Sequence, residues 1–298
     1  MVRRARCHAA CHEYLTGHDF LISRLLKHSI RTVRATHNPV SALWPSRWLL
    51  LNFVLRDIKT RYVGSFSGLG WALLQPLILL AVYHFVFTVI FKVKFPEIGK
   101  AGFITFLAVV LWPWLMFQEA VQRSIMTIQS NAGLIRKVAF PRELLIYATV
   151  VATFAVHLAG YILVLTVLYL AGEPVRVQGI VLAFLMLFAL FLIAIGMGFI
   201  LSAMQVIIRD IEHITGPFFM VLFYVTPILY PLSFVPESLR SVVLWNPIAM
   251  VSERLRDALL GGAAPVAGDW VIIICTGIFL FIANLFFQRI APHFEDFL

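Results

Sequence analysis

Six long apolar runs, at residues 71–91, 103–121, 144–170, 180–208, 218–232 and 270–287, leave this chain few ways to fold. An α-helix rises 1.5 Å per residue, so about 20 residues cross the ~30 Å of hydrocarbon in a bilayer. The first, third and fourth runs are long enough on their own. The second, fifth and sixth are shorter or interrupted, by Pro113 and Glu119 and by Pro227 and Pro231. They become spans inside a bundle, where neighbours satisfy the freed backbone groups. Helices apolar on every side face lipid or other helices. Charged residues make up only 13% of the chain, against about a quarter in a soluble domain, so the solvent is a membrane. The expected fold class is an all-α integral membrane protein: six transmembrane helices within 64–298, preceded by an amphipathic interface helix over 44–63. Short re-entrant or outer-face helices belong between spans five and six.

The net charge of +9 would suit a nucleic-acid binder if it lay on one folded polar surface. Here it is threaded between apolar runs, which excludes nucleic acid and fits the positive-inside rule. The cations before the first run, with Arg123, Arg136, Lys137, Arg142, Arg209 and Arg289, outnumber those of the other side. Both termini are therefore expected in the cytoplasm. Residues 1–43 form a polar, His- and Arg-rich leader, expected to be disordered and lacking the apolar core of a secretory signal. Cys7, Cys11 and Cys275 make no disulfide framework, and Cys7-His8 with Cys11-His12 has no second cluster to complete a metal site. No metal is expected.

From Trp44 the pattern sharpens. Pro45 suits a first helical turn, and Trp48, Leu51, Leu55, Ile58 and Tyr62 then recur at helical steps. Arg47, Arg56, Lys59 and Arg61 fall largely outside that stripe, as in a helix lying at headgroup depth. Gly64-Ser-Phe-Ser-Gly-Leu-Gly70 makes a flexible corner. It lacks the Gly-Lys-Ser/Thr of a nucleotide loop, and no such loop occurs elsewhere, so the chain should bind no ATP by that mechanism.

Within the spans, His84, Glu119 and His157 are the ionisable candidates. They form no paired-carboxylate, metal or nucleophile motif. Packed histidines and a Glu119–Arg123 ion pair at i+4 account for them, so no catalytic residue is expected. Trp112, Trp114, Phe219, Phe223, Tyr224 and Tyr230 line a conduit on one reading and form interface belts or bundle packing on the other. Gly196-Met-Gly198 with Ser202 permits close helix approach. In the connection 233–269, two short helices broken at Asn246-Pro247 fit the outer face. The turn at 131–144 is neither oily nor loop-like. It sets Arg136, Lys137, Arg142 and Glu143 around Leu134, Ile135, Val138 and Phe140. Such a basic amphipathic helix docks on a partner's groove or holds anionic lipid.

Leu55-Arg-Asp-Ile-Lys-Thr-Arg-Tyr62, Gly68-Leu-Gly-Trp71 and Gln75-Pro76 resemble the opening of ABC-2 type polysaccharide exporter permeases. Leu134-Ile-Arg-Lys137 with Phe140-Pro-Arg-Glu-Leu144 resembles their first coupling segment, and Arg209-Asp210-Ile211 the second. Thr226-Pro-Ile228, Trp245-Asn-Pro247 and Glu295-Asp-Phe-Leu298 also fit, so the resemblance runs from about residue 48 to the C-terminus. It implies a permease homodimer working with two copies of an ABC ATPase, which carries the ATP and Mg; this chain would hold no cofactor. The substrate would be a lipid-linked polysaccharide (O-antigen, capsule or teichoic acid) moved outward across the cytoplasmic membrane. Leu134, Ile135, Val138 and Phe140 would anchor the ATPase, Arg136, Lys137 and Arg142 would be its rim charges, Pro141 and Glu143 would belong to the same coupling segment, and Arg209-Asp210 would make the second contact. Arg56, Lys59 and Arg61 would meet the lipid head. A drug-exporter permease of the same fold is the alternative, followed by a self-contained membrane enzyme or channel.

Overall fold

The computed structural model of the chain describes residues 46–62, 70–93 and 102–297. The leader 1–43, Trp44, Pro45, the glycine-rich corner before Gly70 and Leu298 lie outside the described residues. Those described are helical between short connections. The elements are α1 (Arg47–Tyr62), α2 (Gly70–His84, continued by a π-helical stretch Phe85–Ile90), α3 (Phe103–Ser130), α4 (Ala132–Lys137) and α5 (Glu143–Leu170). After a 3₁₀ turn, Val177–Gly179, come α6 (Ile180–Ile207), α7 (Ile211–Val225), α8 (Glu237–Leu244), α9 (Pro247–Leu259), α10 (Ala267–Ile290) and α11 (Phe294–Phe297).

Among the described residues, five helices are long and apolar enough to cross a membrane: α2, α3, α5, α6 and α10. The fold is that of an all-α integral membrane protein. The fifth apolar run departs from expectation. Its helix, α7, starts at Ile211 and ends at Val225, 15 residues or about 22 Å long. Thr226-Pro227 ends it, and Glu212 and His213, which an apolar count leaves out, form its first turn. The second run also extends, to Ser130, because the polar residues after 121 find partners inside the bundle.

α3 is the axis. It is buried along most of its length, packed by α5 on one side and α6 on another, with α10 against the far face of α6. Gly196 and Gly198 allow this closeness. A Cβ on Gly196 would stand 2.5 Å from the Phe279 ring of α10, and one on Gly198 3.0 Å from Ser124 of α3. By contrast α2 touches the bundle along a narrow strip and leaves Trp71, Ile78, Val82 and Phe85 exposed.

α1 shows two apolar faces rather than one stripe. Trp48, Leu51 and Leu55 point outward, while Phe53 and Val54 are buried and Ile58 half-buried. That inner face packs along α5. At the other end α8 and α9 do break at Asn246-Pro247. Asn246 caps α9, its Oδ1 accepting from Ile248 N at 3.0 Å.

Candidate functional site

Two sites lie at the α4 end of the bundle. In the first, α4 reverses the chain between α3 and α5. Asn131 precedes it, and its Nδ2 donates to the Thr127 carbonyl at 2.8 Å. Ile135 is buried, Leu134 and Phe140 pack against the core, and Phe140 meets Phe53 of α1 edge-on at 5.6 Å. The apolar residues expected to anchor a partner are therefore largely used at home, because the turn must also cover the end of the bundle. Val138 is half-buried, whereas Arg136 and Lys137 are exposed and make no ion pair among the described residues. Arg142 is not an outward rim charge. Its Nη1 donates to the Ala291 carbonyl and its guanidinium faces the Phe294 ring at 6.0 Å. Pro141 and Glu143 join Arg136 in lining a groove of about 560 Å³ between this turn and the chain's C-terminal end.

The Arg209-Asp210 turn joins α6 to α7 at the same end. Gln205, buried at 1% exposure, organises it: its Nε2 donates to the Arg209 carbonyl at 3.1 Å and its Oε1 accepts from Glu212 N at 2.9 Å. Gln129 at the end of α3 donates to the Gln205 carbonyl at 3.1 Å. The two segments predicted to couple are thus linked through side-chain amides. Neither glutamine was singled out from the sequence; the available signal was a polar amide near the end of each apolar run.

The second site lies where α1 crosses α3 and α5. Arg61 is 3% exposed and forms a two-nitrogen contact with Asp57, Nε at 3.0 Å and Nη2 at 2.7 Å. It also donates to the Thr153 hydroxyl and lies 3.6 Å from Glu119. Glu119 accepts from His157 Nε2 at 2.8 Å, and Arg123 approaches Asp57 at 3.5 Å and Glu119 at 4.0 Å. Sequence reasoning paired Glu119 with Arg123 alone; the closer partner is His157 of α5. Arg61 is held inside this network and does not face lipid heads. Arg56 donates to Asn131 Oδ1 at 2.7 Å and lies over the Phe53 ring at 5.1 Å. It lines, with Arg123, Gln122 and Asn131, a cavity of about 400 Å³. Lys59 is exposed.

Trp112, Trp114, Phe219 and Phe223 are packed inside the bundle. Trp112 donates its indole N–H to the His157 carbonyl at 3.0 Å, and Trp114 meets Phe219 and Phe223 at 6.0 and 5.6 Å. Tyr224 is exposed, and the half-buried Tyr230 donates to its carbonyl at 2.9 Å. The other polar knot is at the opposite end. Arg256 is buried over the Phe106 ring at 3.9 Å and donates to the Ile228 carbonyl at 2.8 Å and to Glu253 at 2.6 Å. Burial pushes its pKa down to about 10 against the pull of Glu253, so it stays charged at neutral pH. Asn246 Nδ2 donates to Thr226 Oγ1 at 2.9 Å, fixing the turn after α7.

Apolar spanning helices with polar turns bound together at one end make the frame of an integral membrane protein. Residues 49–260 match the ABC-2 type transporter family, and the chain belongs to that family. It is 32% identical over 214 residues to an O-antigen export system permease protein (RfbA) of Myxococcus xanthus, covering 70% of this chain and 79% of the relative. A Klebsiella pneumoniae protein of the same name is 26% identical over 84% of this chain and 95% of its own length. The polysialic acid transport protein KpsM of Escherichia coli is 27% identical over 70% and 80%.

Proposed function

We propose that this chain is the membrane subunit of an ABC exporter that moves a lipid-linked polysaccharide, O-antigen foremost, outward across the cytoplasmic membrane. One observation carries the reading: two polar turns joined by Gln129 and Gln205, one offering exposed Arg136 and Lys137, in an ABC-2 chain whose sequence has no nucleotide loop. Such a chain receives work from an ATPase, and two mechanically linked turns give that partner one firm point to push on. The abundance of cations around this end supports placing it in the cytoplasm. The names of the relatives support a polysaccharide cargo.

A homodimer is supported by what the single chain leaves uncovered. α7 is too short to cross alone, and its Phe218, Val221 and Tyr224 are exposed, as are Trp71, Ile78 and Val82 of the thinly packed α2. A second copy set against α2 and α7 would cover them. The conduit would then follow that seam, with Tyr224 rather than the buried tryptophans offering ring faces to sugars. Arg56 and Lys59 remain the cations of α1 open to a lipid phosphate, whereas Arg61 serves the fold.

The test is deletion of the gene in its native host. The reading predicts loss of surface polysaccharide, accumulation of lipid-linked glycan on the inner leaflet, and rescue by the intact chain but not by an R136E/K137E variant. Normal surface glycan in the deletion strain contradicts the cargo.

A further inference from the structure

The polar knot between α1, α3 and α5 is not closed. The cavity of about 400 Å³ beside it reaches from Asn131, at the end of α3, to Glu119, about 18 Å back along that helix. Glu119 and Arg123 both line it and keep 39% and 36% of their side-chain surface exposed, in a helix otherwise buried along most of its length. Charges in a spanning helix need a polar cover, and the protein supplies only part of it. Arg123 stands 3.5 and 4.0 Å from its two carboxylates, long for hydrogen bonds, and its Nε is buried without a hydrogen-bond partner among the described residues. Arg61, buried behind the same carboxylates, leaves its Nη1 without a hydrogen bond too, 3.6 Å from Glu119. Arg56, Arg61 and Arg123 face only Asp57 and Glu119, so the knot carries one positive charge in excess, His157 aside.

We infer that this cavity holds the head of an anionic phosphodiester lipid, of the phosphatidylglycerol class, as a resident part of the protein. Basic pockets between spanning helices take such heads, and a phosphate offers acceptors to the unbonded guanidinium nitrogens. The single negative charge of a phosphodiester matches the excess cation. A diphosphate would bring more than its match, against Asp57 and Glu119. The volume has room for a phosphoglycerol head. Phe53, Met126, Leu145 and Ala148 on its walls suit the glycerol and the first carbons of the chains. The outward Trp48, Leu51 and Leu55 sink α1 among lipid, so the cavity beneath it opens where lipid heads are found. No described residue of α2 or α7 lines it, so it stands apart from the seam assigned to the conduit. The inference rests on placing this end of the bundle at a membrane surface and not on the cargo. It names the lipid that Arg56 meets and leaves Lys59 outside the cavity.

The experiment strips the full-length protein of lipid in detergent, titrates it with phosphatidylglycerol and counts bound copies by native mass spectrometry. R123Q removes a lining cation, A148L fills the cavity and keeps every charged group, and R289Q removes an exposed cation of the same end outside the cavity. The proposal expects one saturable copy per chain that phosphatidylcholine does not displace. R123Q and A148L should each weaken its Kd about tenfold, and R289Q should bind like wild type. Melting temperature without lipid is measured alongside. If R123Q proves unstable, A148L decides, and wild-type binding by A148L then refutes the cavity. If R289Q weakens binding as much as R123Q, the attraction is to surface charge at large and the proposal is overturned. If a polyprenyl diphosphate displaces phosphatidylglycerol at lower concentration than phosphatidylglycerol itself needs, the cavity belongs to the cargo's head; the resident lipid is refuted and the export reading stands. Failure of the export reading shows separately, as normal surface glycan in the deletion strain, and leaves this binding unchanged.

Discussion

Arg61→Met probes how α1 is held to the spans. The substitution keeps an apolar stem of similar reach and removes the guanidinium. Lost are the paired bond to Asp57, the bond to the Thr153 hydroxyl, a long contact to the Thr149 carbonyl at 3.4 Å, and the attraction of Glu119 at 3.6 Å. A hydrogen bond to a charged group contributes about 1.5–3 kcal/mol, and removing one member of a buried ion pair costs about 3–5 kcal/mol. Asp57 and Glu119 are 23% and 39% exposed, so water takes up part of the loss. We expect a net destabilisation of about 2–4 kcal/mol. The Arg61–Glu119 component is isolated by a double-mutant cycle with Glu119→Gln. Screening by solvent leaves a coupling of about 1 kcal/mol, so the double variant should be less unstable than the sum of the singles by that amount. Unfolding by SDS in mixed micelles measures all three variants, and hydrogen exchange over α1 should rise selectively in Arg61→Met. A loss under about 0.5 kcal/mol, or a coupling of zero, would refute the view that Arg61 belongs to the fold rather than to the lipid surface.

Three further substitutions test the packing. A Cβ on Gly179 would stand 1.9 Å from the Ala258 carbonyl oxygen, so Gly179→Ala must push α9 off the 3₁₀ turn that leads into α6; we expect about 1–3 kcal/mol lost, read as a lowered melting temperature in detergent. Arg256→Ala strips the cation from Phe106 and removes one donor each from Glu253 and the Ile228 carbonyl, for about 2–4 kcal/mol, with faster proteolysis of the 233–266 connection as the readout. Trp112→Phe removes the indole bond to the His157 carbonyl and, at a fully buried position, leaves the space of the missing ring atoms, so it should cost about 2–3 kcal/mol in the same SDS titration.

The spans were legible because hydropathy over about 20 residues is a sum that single residues cannot overturn. α2, α5 and α6 therefore begin and end within a residue or so of the apolar runs. α7 was misplaced because a helix in a bundle can start on Glu212 and His213 and stop at a Thr-Pro, and neither feature registers in an apolar count. Local pattern also placed the α4 turn, but the direction of its side chains depends on distant parts of the chain. Arg142 turns to Ala291 and Phe140 to Phe53, contacts that no window around residue 140 contains. The same holds for Arg61, whose partners come from α1, α3 and α5. A cation at headgroup spacing and a cation in a buried network look alike in sequence.

The central claim is that the polar end of the bundle takes up work from an ATPase through Arg136 and Lys137. The most direct test is the ATP turnover of the purified partner ATPase with full-length permease in nanodiscs, wild type against R136E/K137E. The account predicts that wild-type permease changes the turnover and that the charge reversal returns it to the rate of the free ATPase, with the permease itself still folded. Equal turnover with both permeases would contradict it.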